Sequence, residues 1–149
     1  MKTTVPKSLV EEHHEIQREL LRAVEADGRT GEEARALARI LLPHMDREDS
    51  LVHPALAILE GLARRTENPD PAAVLRHHER LKEALPDLLR DHGFIVGALK
   101  ALETAARAEH QPAIADLSRR LIHHARLEEE VLYPAAVLAG EYVRVTTVG

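Results

Sequence analysis

The 149-residue chain carries 20 basic and 25 acidic side chains, ten histidines and no cysteine, which excludes disulfides, thiolate metal ligands and a cysteine nucleophile. Leu, Ala, Glu and Arg dominate, and Phe94, Tyr133 and Tyr142 are the only aromatics. An all-α protein with a core of Leu, Ile, Val and Ala is therefore expected. The net charge of -5 comes without a basic block, which argues against nucleic acid, and no run approaches the ~18 apolar residues of a membrane span. Met1-Lys-Thr-Thr-Val-Pro-Lys-Ser8 is followed by no apolar signal region, so we expect a soluble cytoplasmic protein forming one domain, 1–149.

Taken in order, Ser8 and Glu11 read as a capping box opening a first helix, with Leu9, His13, Ile16, Leu20 and Val24 on one stripe. Asp27-Gly-Arg-Thr-Gly31 stops it. A second helix starts at Thr30 or Gly31 and runs to about residue 65, bent or interrupted by Pro43 and Pro54. Arg64-Arg-Thr-Glu-Asn-Pro-Asp-Pro71 is a break rich in turn formers. A third helix begins near Pro71 with the stripe Val74, His78, Leu81, Leu85, Leu88, bends at Pro86 and Gly93, and extends to about Ala108. Glu109-His-Gln-Pro112 turns into a fourth helix ending at Gly140, before a β-branched tail read as extended. Four helices with short connections predict an up-down-up-down antiparallel bundle, about 8–139, with residues 140–149 outside it.

The chain repeats itself. A shift of 80 superposes His44 on His124, Glu48 on Glu128, Asp49 on Glu129 and Pro54 on Pro134; a shift of 65 superposes Leu9, His13 and Ile16 on Val74, His78 and Leu81. Six ionisable residues therefore fall on core stripes: His13, His44, Glu48, His78, His124 and Glu128. On the fourth helix the companions are Leu117, Leu121, Val131, Ala135 and Leu138. A lone buried histidine is usually just hydrogen-bonded, and a lone His-x-x-x-Glu is usually a surface pair. Four imidazoles and two carboxylates inside one bundle are better satisfied by metal: iron, manganese or zinc. The symmetry suggests two ions, each with two histidines, bridged by Glu48 and Glu128. His14, His77 and His123 sit off the stripe and read as flanking. His53 occupies the Tyr133 position of the repeat and reads as a pocket residue. His92 and His110, near bends, read as solvated, and Asp46, Asp49 and Glu129 as reserve ligands.

At Glu12-His13-x-x-Ile16, His44-x-x-x-Glu48-x-x-x-x-x-Pro54, His78-x-x-Leu81 and His124-x-x-x-Glu128-Glu129-x-Val-Leu-Tyr-Pro134 the sequence resembles the hemerythrin-like HHE cation-binding family, over roughly residues 8–138. (Myohemerythrin, a relative, is an up-and-down four-helix bundle.) The resemblance implies two non-haem irons bridged by the two glutamates and an oxo or hydroxo species. It also implies work on oxygen, iron, peroxide or nitric oxide. Oxygen carriers in the family have a second histidine four residues after the third-helix one, where this chain has Lys82. They place an aspartate five residues after the last histidine, where this chain has His124-x-x-x-Glu128. Simple oxygen carriage is therefore not expected, and His77 or a tyrosine could close a metal position. The leading expectation is a di-iron protein that decomposes peroxide in a pocket lined by Leu41, Phe94 and Leu121, with nitric oxide or oxygen as other substrates. The alternatives are a reversible oxygen- or iron-sensing module and a metal-free bundle. A homodimer or another protein partner stays open.

Overall fold

In a computed structural model of the chain, residues 5–66 and 69–147 are described. Every regular element among them is a helix. α1 (Lys7–Val24) buries His13, Ile16, Leu20 and Ala23 along one stripe. It starts before the expected capping box: the Pro6 carbonyl already accepts from the N–H groups of Leu9 and Val10, so Ser8 lies inside the first turn and caps nothing.

α2 (Gly28–Leu51) also starts earlier than expected. Its first turn would leave free N–H groups. Glu109, at the far end of the third long helix, accepts from both Thr30 N–H and Thr30 Oγ1–H at 2.6 Å. α2 stops where Pro54 cannot donate to the carbonyl of Ser50. The chain continues as two short helices, α3 (His53–Leu56) and α4 (Leu59–Arg64), so the expected interruption is present.

α5 (Pro71–Ala108) opens with the Asp70 side chain accepting from Ala72 N–H and runs unbroken through Pro86 and Gly93. α6 (Pro112–Leu127) is followed by a wide π turn over Glu128–Leu132 and by α7 (Tyr133–Thr147). Two expectations are overturned at this end. Gly140 does not terminate a helix, and residues 141–147 are helical, not extended; residues 148 and 149 lie outside the described residues. Val143 and Ala139 pack with Ile58, Leu62 and Val74, and this burial overrides the weak helix propensity of the β-branched tail.

α2 packs on α1 and α5, and α5 packs on α6 and α7. Among the described residues the apolar core forms three clusters, the small one at Ile58, Ala139 and Val143 and two larger ones. Ile16, Leu20, Leu37, Leu41, Leu99 and Leu117 belong to one of the larger clusters, and Val52, Leu81, Leu88, Tyr133 and Ala136 to the other. Between them lies a belt of buried polar side chains. In α2 the belt falls between Leu41 and Val52, in α5 between Leu88 and Ile95, and in α6 between Leu121 and Tyr133.

Candidate metal centre

His13, His44, His53, His92, Glu48 and Glu128 are all buried, and His124 is nearly so. Among the described residues, three groups can each bring one ligand atom within 4.8 Å of the others: His13 with His124 and Glu128, His13 with Asp49 and His53, and His44 with His92 and Glu128.

The outer nitrogens of these imidazoles are anchored in one way. His13 Nδ1 donates to Asp49 at 2.9 Å, His44 Nδ1 to Asp91 at 3.0 Å, His92 Nδ1 to Glu129 at 3.0 Å and His124 Nδ1 to Glu12 at 2.5 Å. His53 Nδ1 lies 3.3 Å from Asp49, and its ring sits 4.6 Å from that of His13. Arg47 pairs with Asp91. A carboxylate on Nδ1 fixes the ring and leaves Nε2 as a lone pair, the arrangement found behind metal-bound histidines.

Those lone pairs converge. His44 Nε2 lies 3.1 Å from His92 Nε2 and 3.0 Å from Glu48. His92 Nε2 is 3.3 Å, and His124 Nε2 3.4 Å, from Glu128. Acceptors therefore face acceptors in a buried space, where only a proton or a cation relieves them. The carboxylates register the strain. Burial, and then Glu128 beside it, push Glu48 up to about 8. Burial acts in the same upward sense on Glu128, but hydrogen bonds from Glu48, His124 and His92 hold it well below the carboxylate range. His124 is raised to about 9: burial opposes the proton, and the Glu128 hydrogen bond and charge retain it. Burial and the neighbouring His13 push His53 down. The donor set thus fits hard or borderline cations.

Tyr133 completes the cluster. Its hydroxyl donates to Glu48 at 3.1 Å and lies 3.1 Å from His92 Nε2 and 3.3 Å from His44 Nε2. Burial and the two glutamates hold the phenol far above its ordinary pKa, so it keeps its proton. The π turn places it there. Tyr133 N–H bonds to Glu128 O, five residues back, so these two residues stand one turn apart. In an uninterrupted α-helix they would point about 140° apart.

The chain matches the model of the hemerythrin HHE cation-binding domain over residues 5–136. It belongs to the hemerythrin HHE cation-binding family. No curated protein and no solved structure gave a match.

Five of the six residues singled out in this hemerythrin-like sequence are brought together: His13, His44, Glu48, His124 and Glu128. His78 is not. It lies fourteen residues before His92 on α5, about 21 Å along the axis. There its Nε2 donates to Glu141 at 2.8 Å and its ring packs on Gly140. His92, read as solvated, is 2 % exposed and takes the place in the cluster expected of His78. His53 joins the cluster, as the pocket reading anticipated. Asp49, read as a reserve ligand, groups with His13 and His53 and also holds His13 Nδ1, and Glu129 holds His92 Nδ1. Asp46, His14, His110 and His123 are exposed, and His77 donates to Leu51 O at 2.8 Å. Phe94 does not line the pocket: it is 65 % exposed. Leu41 and Leu121 do line an inner cavity of ≈ 20 Å³, with Ile16, Met45, His44 and His92. Val131 and Leu138 face solvent because the π turn advances the register, and the stripe becomes Tyr133, Ala136, Gly140, Val143.

Proposed function

We propose that this hemerythrin-like chain holds two non-haem irons and uses them on small oxidants, with hydrogen peroxide disproportionation as its reaction. The observation that carries the metal is the set of histidines with Nδ1 on carboxylates and Nε2 facing one another around Glu48 and Glu128. His13, His53 and His124 would hold one ion and His44 and His92 the other, with the glutamates between them. The ligand set is then three histidines and two, not the two and two that the repeat suggests. Glu109 on Thr30, Glu19 on Arg120 and Glu12 on His124 join neighbouring helices in opposite senses, and support the up-down-up-down order.

A bound iron pair would supply the redox chemistry, passing to one peroxide, which becomes two waters, the two electrons taken from a second, which becomes dioxygen. The chain contributes the rest. Glu48 and Glu128 would supply the negative charge that holds the ions. The Nδ1 carboxylates fix each ring. Tyr133, beside His44 and His92, keeps its O–H, which would turn from Glu48 to donate to an incoming oxygen atom. Aliphatic side chains keep the inner space small. Addition of peroxide to iron-loaded protein should give oxygen at half the molar amount of peroxide through many turnovers. A single turnover followed by bleaching and loss of iron would contradict the proposal.

A further inference from the structure

We infer that the cavity beside His78 is a second binding site, which takes a small, neutral, largely apolar molecule of the size of a phenol, carrying one O–H or N–H donor. The cavity, of ≈ 230 Å³, lies between α3, the start of α5 and α7. It shares no lining residue with the inner cavity beside His44 and His92, and the inference does not depend on the metal-centre reading.

The observation that carries it is His78 Nδ1. Among the described residues it is the one buried side-chain nitrogen or oxygen without a hydrogen-bond partner. Native chains rarely keep such a group, because its lost hydration is not replaced. Nε2–H donates to Glu141, so the neutral ring leaves Nδ1 as a lone pair that neither protein nor solvent satisfies. That edge of the ring is covered by the bare Cα of Gly140, where a Cβ would overlap it, and both residues belong to the cavity wall. A modest turn about the ring torsion, which is soft in histidine, brings the lone pair from Gly140 to the cavity.

The wall defines the ligand. Pro54, Ala55, Ile58, Val74 and Ala136 are apolar and no charged side chain joins them, so an ammonium or a carboxylate would lose its hydration without a counter-charge. His77, also in the wall, adds no donor, because it spends Nε2–H on Leu51 O. Both imidazoles therefore accept, which selects an O–H or N–H and disfavours ketones, ethers and esters. The volume exceeds the ~150 Å³ in which an engineered apolar cavity holds benzene, so one ring with its hydroxyl fits.

The test is calorimetric titration of the purified full chain with phenol, and with toluene as the same shape without the donor. Phenol should bind saturably at one site per chain. His78→Phe should weaken phenol about ten-fold relative to its effect on toluene. Ala73→Phe, at the exposed rim of the wall, should abolish binding of both. No saturable binding of phenol to the wild-type chain would overturn the site, and so would phenol binding that Ala73→Phe leaves untouched. An equal change for phenol and toluene in His78→Phe would overturn the acceptor role of His78. If that variant does not fold, the imidazole nitrogen resonances of the wild-type chain decide. Phenol should then shift His78 Nδ1 and toluene should leave it in place; equal shifts would overturn the acceptor role.

Discussion

His92 and His78 lie on one helix and are equally buried, yet only one shares the polar belt. His92→Ala should therefore cost the protein at least one equivalent of metal, while His78→Ala should leave metal content unchanged. Elemental analysis of the two purified variants checks this, and the reverse pattern would return His78 to the centre. Tyr133→Phe removes one hydroxyl and no metal-anchoring imidazole. It should keep its iron and lose roughly ten-fold or more in peroxide turnover; full activity would remove Tyr133 from the account. In metal-free protein Glu48 is raised to about 8 and His124 to about 9, so the folded chain holds protons that the unfolded chain releases. Their contribution is present at low pH and is lost as pH rises through those values. His53, pushed down, is neutral in both states above its ordinary range, and Glu128 is ionised in both, so neither opposes the trend there. Chelated protein should melt at progressively lower temperature from pH 7 to pH 9. A flat or rising profile would contradict the proton assignment.

The π turn and the helix break before Pro54 are the two elements that differ most from regular helix, and they stand at equivalent points of the repeat. Each brings a residue from the wrong face to the centre: His53 after α2 and Tyr133 after α6. A shift of 80 aligns His44 with His124 and His53 with Tyr133, and it takes His13 to within one residue of His92. That spacing, together with the run Leu88, His92, Ile95, Leu99, was the available signal for His92. The shift of 65 points to His78 instead, and the neighbouring Gly93 reads as a bend. The π turn is not legible, because periodicity assumes one register along a helix, and a single register puts Val131 and Leu138 inside. The close approach of α5 and α7 was equally hidden. A Cβ at Gly140 would overlap the His78 ring. Gly140→Ala should lower stability by about 1–3 kcal/mol in urea unfolding, and much less when combined with His78→Ala. Equal costs in both backgrounds would separate the two residues.

At the scale of the whole molecule, two apolar clusters enclose a polar layer that neither can satisfy. The helical class, the Pro71–Ala108 helix and the burial of five residues that meet in the polar belt are legible because amphipathic spacing exposes polar residues on a core stripe. The division of ligands is not, since it depends on how helices dock. Burying that layer would link folding to metal binding, so that metal, on the reading proposed above, should stabilise the native chain by mass action. The most direct measurement is the metal content of protein purified without chelator, read with its absorption spectrum and with its melting temperature before and after metal removal. The account predicts about two irons per chain, oxo-bridge absorption, and a marked fall in melting temperature once the irons are stripped. Zinc, a single ion, or a melting temperature indifferent to metal would contradict it.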